Sequence, residues 1–141
     1  MKGDLQEPDP PATSAPVRLF LPRETRVVKQ SDFERAWKHG SRARGDALLV
    51  VAVPNELALA RIGLSVGKKF WKRAVDRNRA RRIFREAFRL TRHELPAGHD
   101  YILVPASNAE PTLAGARRDL LRLAPKAVQR SQEKRAGGAP P

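Results

Sequence analysis

Cysteine is absent from this chain of 141 residues. That excludes disulfides, thiolate metal sites and a cysteine nucleophile, and it fits a cytoplasmic protein. Long apolar runs are missing too: none approaches the roughly 18 residues of a membrane-spanning helix. The opening MKGDLQEPDPP has no apolar stretch of the kind a signal peptide needs, so none is expected. His39, His93 and His99 show no metal-ligand spacing such as H-E-x-x-H and read as surface or half-buried side chains. No nucleophile elbow, Walker loop or dinucleotide fingerprint occurs. Asp32, Asp46, Asp76 and Asp100 are scattered, with no spacing that brings two of them together. Such a chain makes a poor enzyme on its own, and no catalytic residue and no metal ligand is assigned. Acidic residues are also scarce: 15 stand against 28 Lys and Arg, for a net charge of +13. That imbalance points to a polyanionic partner.

The excess charge is concentrated in Lys68 to Arg92, KKFWKRAVDRNRARRIFREAFRLTR. Eleven cations face only Asp76 and Glu86 there, leaving +9 of the total +13. Ala80, Ile83, Phe84, Ala87 and Phe88 recur at i, i+3, i+4, i+7 and i+8, which predicts a helix with one buried stripe. At about 100° per residue, Asn78, Arg81, Arg82, Arg85, Arg89 and Arg92 gather opposite. Asp76 is the expected N-cap. A solvated face normally mixes signs at i, i+4, and this one hardly does. A basic amphipathic helix also suits a membrane surface or calmodulin. Arginine dominates here, and its fork fits phosphate, so nucleic acid is the better reading.

The rest of the chain reads as one domain plus tails. Residues 1–20, with EPDPPATSAP and a net charge near −1, read as a disordered tail. Ser31 to His39 is a short helix with the S-x-x-E capping-box pattern of Ser31 and Glu34, and Gly40 suits its C′ position. Phe33, Ala36 and Trp37 share a face. Core is the commoner fate of an aromatic pair at this spacing, and a stacking platform for unpaired bases is the alternative. Ser41 to Gly45 reads as a basic loop. Asp46 to Val53 and Ala60 to Val66 read as strands paired in a hairpin, with Ala47, Leu49, Val51 and Val53 on one face of the first. Asp100 to Pro105 is a third strand. Thr112 to Ala127 is a second amphipathic helix, with Leu113, Ala116, Leu120, Leu123 and Ala127 on one face. Residues 128–141 read as a disordered basic tail, which leaves a domain over 21–127. No internal repeat is visible.

Lys68-Lys69, Lys72, Ala74-Val75, Arg77-Asn78-Arg79 and Arg81-Arg82 together resemble the RNR signature of the bacterial ribonuclease P protein family. Arg61-Ile62-Gly63-Leu64-Ser65-Val66 fits the strand that leads into it, and Phe33…Trp37-Lys38-His39-Gly40 fits the earlier helix. The resemblance spans about residues 20–125. Where the family often has Gly, Lys and an aromatic, this chain has Trp71, Arg81 and Val51.

The resemblance implies an α/β two-layer sandwich in the order α-β-β-(β)-α-β-α, with a left-handed β-α-β crossover against the usual hand. This is the architecture of the second domain of a small-subunit ribosomal protein, with a short extra strand around Val66–Lys68. It further implies an RNA-binding subunit that helps a catalytic RNA remove the 5′ leader from precursor tRNA, with Mg²⁺ bound chiefly by the RNA. Lys68, Lys69, Lys72, Arg73, Arg77, Asn78, Arg79, Arg81, Arg82, Arg85 and Arg89 would meet the catalytic RNA. Phe33, Trp37, Val51 and Tyr101 would cradle the leader. A pure binding module of the same architecture is the rival reading, and an RNA-free nuclease a weaker third.

Overall fold

The computed structural model describes residues 23–27 and 29–138, so the expected N-terminal tail and the last three residues lie outside it. Three helices, α1 (Gln30–His39), α2 (Ala74–Thr91) and α3 (Leu113–Gly138), pack on a four-stranded sheet. Its strands are β1 (Ser41–Arg44), β2 (Leu48–Pro54), β3 (Arg61–Leu64) and β4 (His99–Pro105), in the spatial order β1-β2-β4-β3. β2 and β4 run as near-continuous apolar stretches because they hold the centre and are covered on both faces. β1 and β3, only four residues each, take the edges.

This order corrects the expected hairpin of the second and third strands. β4 lies between them, antiparallel to β2 and parallel to β3, and α2 forms the β-α-β crossover from β3. The apolar run Tyr101–Pro105 of β4 loses most water at the centre, and that outweighs the sequence proximity of β2 and β3. The expected basic loop Ser41–Gly45 is instead mostly strand β1, with Ser41 and Ala43 buried and Arg42 and Arg44 exposed. Val66–Lys68 is not a strand.

The helix starts also differ from expectation. Neither α1 nor α2 has a side-chain cap; their N-cap residues are Lys29 and Arg73. Asp76 sits in the first turn of α2, where it favours the helix dipole and pairs with Arg73 at 2.9 Å. Gly40 ends α1 in extended conformation, not left-handed. A side chain there would come within 2.4 Å of the Ala36 carbonyl and 2.7 Å of Val51 Cγ1, so close approach is what requires glycine. α3 continues past Ala127 through the segment expected as tail, because Val128 and Ser131 remain buried and extend its packed stripe.

The strands alternate as the sequence implied. Leu48, Val50 and Ala52 face α2 and α3 and join Phe84, Phe88, Tyr101, Leu103, Leu120 and Leu123 in the main core. Val51 and Val53 face α1 and form a smaller cluster with Ala36 and Ile102. The α2 stripe also behaves as expected: Ala80, Phe84, Ala87 and Phe88 are buried, and Ile83 is half-buried against them.

Candidate nucleic-acid interface

The basic segment separates into cations that are spoken for and cations that are not. At the start of α2, Arg77 Nη1 donates to the carbonyls of Trp71 (3.2 Å) and Lys72 (2.8 Å). Arg81 donates to Asn78 Oδ1 (2.7 Å) and to the Val66 carbonyl (3.1 Å). These two arginines therefore fix the shape of the 66–72 loop, on which Lys68, Lys69 and Lys72 are exposed. Trp71 anchors the same loop by packing against the main core, edge-on to Phe70. The Lys69 ammonium lies 5.3 Å from the Phe70 ring centroid.

Carboxylates neutralise the two ends of the helix. Arg73 pairs with Asp76, Arg89 with Glu86, and Arg79 with Glu110 from the loop before α3 at 2.6 Å. Arg82 and Arg85, in the middle, are exposed and have no carboxylate partner among the described residues. Partial desolvation of its guanidinium by the neighbouring side chains, followed by the charges of Arg26 and Arg81, lowers Arg85 below the ordinary arginine value. A guanidinium crowded by like charges is stabilised by an anion. Arg26, which no periodicity marks, reaches this cluster because its backbone bridges to Ile62 beside β3.

The α1 face of the sheet has different chemistry. Phe33 is half-buried and lies against Gly63, where a Cβ would be 2.9 Å from its ring. Trp37 is 37% exposed, with the Arg42 guanidinium 5.4 Å from its ring centroid. Arg42 and Arg44 stand opposite Val51 and Leu49 in the β1–β2 register and so share this face. α1 covers only part of it, leaving Leu49 and Val104 half-exposed. Phe33 and Trp37, four residues apart on α1, both stand on this side of the sheet. Val51 is on the same face but fully buried beneath α1. Tyr101 is a correction: it is fully buried on the opposite face, its hydroxyl donating to the Pro96 carbonyl at 2.6 Å. Strand alternation puts Asp100 and Ile102, not Tyr101, on the α1 side.

Asp100 and Asp32, which the sequence left scattered, converge here. Asp100 is fully buried and accepts from Arg35 (2.9 Å), Asn55 (2.9 Å) and both Nε and Nη2 of Arg61 (2.7 Å each). Asp32 lies 3.5 Å from Arg61 and 3.6 Å from Arg35. The Asp100 hydrogen bond raises Arg61 above its ordinary value. The cluster ties α1 to β3 and β4 and so fixes where Phe33 and Trp37 stand. Among the described residues, no group of three or more His, Asp or Glu could hold a metal, and these two carboxylates are already taken by arginines. The described side chains therefore do not assemble a Mg²⁺ site.

A mixed α/β sandwich with arginines on one helix that have no carboxylate partner among the described residues, and a half-open aromatic face, defines a protein suited to binding nucleic acid. The comparisons narrow that class. Residues 21–128 match the family model described as Ribonuclease P. The Ribonuclease P protein component of Photorhabdus laumondii is 42% identical over 94 residues, covering 67% of this chain and 79% of that one. That of Proteus mirabilis is 40% identical over the same length and shares. A Staphylococcus aureus RNase P protein mutant superposes with a TM-score of 0.64 at 28% identity, covering 76% of this chain and 90% of its own. The Thermotoga maritima RNase P protein gives 0.62 at 26% identity, with 69% and 92% covered. The chain belongs to the ribonuclease P protein family. It is an RNA-binding subunit in tRNA processing, part of the ribonuclease P ribonucleoprotein and associated with its RNA.

Proposed function

We propose that this subunit grips two RNAs through separate surfaces while the RNA subunit carries out the chemistry. Arg82 and Arg85, with Arg26, the Lys68–Lys72 loop and the neighbouring Arg73, Arg79 and Arg89, meet phosphates of the catalytic RNA. Arg77, Arg81 and Asn78 hold that loop in shape. The α1 face takes the single-stranded 5′ leader of precursor tRNA, with bases against Phe33 and Trp37 and phosphates near Arg42. Base stacking tolerates any sequence, since every base has a π-face. Phosphate contacts orient the RNA without reading it. Mg²⁺ is held chiefly by the RNA. None of the described helices is long and apolar enough to cross a membrane, and the proposed setting is the cytoplasm.

The observation that carries this reading is the separation itself. Arg82 and Arg85, which have no carboxylate partner among the described residues, lie on α2, on one side of the sheet, and the half-exposed aromatics lie on α1, on the other. The test is to mix the protein with bacterial ribonuclease P RNA at low Mg²⁺ and follow cleavage of precursor tRNA. Stimulation of the RNA, with the protein inert alone, is the expected result. Cleavage by the protein alone, or binding without stimulation, would overturn it.

A further inference from the structure

α3 carries a cationic ridge that neither the RNR segment nor the aromatic face includes. Arg118, Arg122, Lys126, Arg130 and Lys134 recur at every fourth residue and are all exposed. Such a row forms one ridge of a helix, with members about 6 Å apart along the axis. The ridge follows the edge strand β1 from end to end. The Arg122 guanidinium lies at Gly45, where a Cβ would be 2.8 Å away. Arg130 Nη1 donates to the Arg42 carbonyl at 2.6 Å, and Lys134 Nζ to the His39 carbonyl at 3.4 Å. Arg42 is the same residue whose guanidinium caps Trp37. The ridge is therefore continuous with the mouth of the α1 face. It runs along the β1 edge, whereas the loop held by Arg81 follows β3 at the other edge.

The first two members are partly neutralised. Buried Asp119 lies 3.4 Å from Arg122 and 3.8 Å from Arg118, although one of its oxygens is held by the N–H groups of Ala47 (2.7 Å) and Leu48 (3.2 Å). The other nearby acid, Glu133, accepts from Gln129 at 3.2 Å. Lys126, Arg130 and Lys134 keep their charge without a carboxylate partner among the described residues. Arg130 and Lys134 also lie beyond the residues that match the family model.

We propose that Lys126, Arg130 and Lys134 bind the phosphates of the part of the single-stranded leader that lies beyond the Phe33–Trp37 face, lengthening its track along β1. This rests on the leader reading above. The occupant follows from continuity and charge: a strand leaving Trp37 past Arg42 meets these three cations next. The surface should therefore respond to leader length and salt rather than to sequence.

The test uses the assembled holoenzyme and three ligands: mature tRNA, precursor with a leader of about 4 nucleotides, and precursor with about 16, the span of single-strand site sizes. In the wild-type holoenzyme the long leader should bind more tightly than the short one. Its log–log salt slope should be steeper by about two, as three single-strand phosphate contacts imply. The triple variant Lys126→Gln, Arg130→Gln, Lys134→Gln should lose that long-leader advantage, by about tenfold, and leave the short-leader-to-mature ratio in place. Lys126→Glu alone breaks no hydrogen bond or ion pair among the described residues and should reduce the same advantage. An unchanged long-to-short ratio in both variants would overturn the proposal. Equal weakening of all three ligands with poorer holoenzyme assembly would also overturn it, assigning the ridge to the catalytic RNA. Equal affinity of the wild type for mature and short-leader tRNA would instead remove the leader reading itself.

Discussion

The two faces of the sheet are built from alternate residues of the same strands, yet they end up in opposite conditions. Under α2 and α3, Phe84, Phe88, Tyr101 and Leu120 are all but fully buried, and even the Tyr101 hydroxyl has a partner. Under α1, a ten-residue helix, only Ala36, Val51, Val53 and Ile102 form the buried cluster, and Phe33, Leu49 and Val104 keep exposed surface. The closed face supplies stability. The open face, held by the Asp100 cluster rather than by apolar bulk, retains aromatic surface for a ligand. Polar clamping lets a short helix be fixed without covering the sheet.

The largest effect that could break this comparison is on the closed face. Phe84→Ala should cost about 3–5 kcal/mol of stability, a large part of a small domain's total. Chemical denaturation measures it, and near-wild-type stability would mean that face is not the main core.

The exposed middle of α2 should behave in the opposite way. Arg82→Ala with Arg85→Ala should weaken binding to the catalytic RNA by at least about 1.5 kcal/mol, the low end for one charged hydrogen bond. The melting temperature should hardly move, since exposed substitutions change stability by about 0.5 kcal/mol or less. Arg81 is a poorer choice than the sequence suggests, because it holds the Val66 carbonyl and its loss would disturb the loop. Unchanged RNA affinity in a filter-binding titration would show that the two guanidinium groups are merely solvated.

Tyr101 sharpens the comparison through pH. Burial raises its phenol well above the ordinary tyrosine value. The folded state thus keeps the proton at a pH where the unfolded chain releases it. The stability from this residue is complete below about pH 10 and should fall above it by at most about 1.4 kcal/mol per pH unit. Compared across that range, the wild type should lose ground to Tyr101→Phe. A constant difference between them would place Tyr101 in water, as an open-face residue would be.

Much of this was legible in the sequence because its signals are local. The α2 stripe from Ala80 to Phe88 and the alternation along Val50–Val53 each follow from one element's period. The RNR segment gave the family through its residues alone. What was not legible depends on neighbours distant in sequence. The place of β4 between β2 and β3 is decided by burial of the whole sheet, and with it the side on which Tyr101 falls. β1 was hidden because SRAR has only two inward side chains, both small. The Asp32–Asp100 convergence joins α1 to β3 and β4, elements far apart in sequence, and leaves no spacing to read. The i, i+4 row on α3 is visible by counting, but its end reads as tail because Gly and Pro close the chain. Its meaning also needed the contacts with His39 and Arg42.

The smallest expected effect tests the central claim, that the open face is a binding surface and not an unfinished core. Phe33→Leu keeps apolar bulk against Gly63 but gives up most of the ring, where stacking contributes about 1–3 kcal/mol per base. The measurement is the affinity of the assembled holoenzyme for precursor tRNA relative to mature tRNA, in wild type and in this variant. The account predicts that the ratio falls by roughly fivefold or more, as a loss of about 1 kcal/mol requires, while mature tRNA binds as before. A ratio that stays put, with both ligands unaffected or equally weakened, would contradict it and make Phe33 an ordinary packing residue.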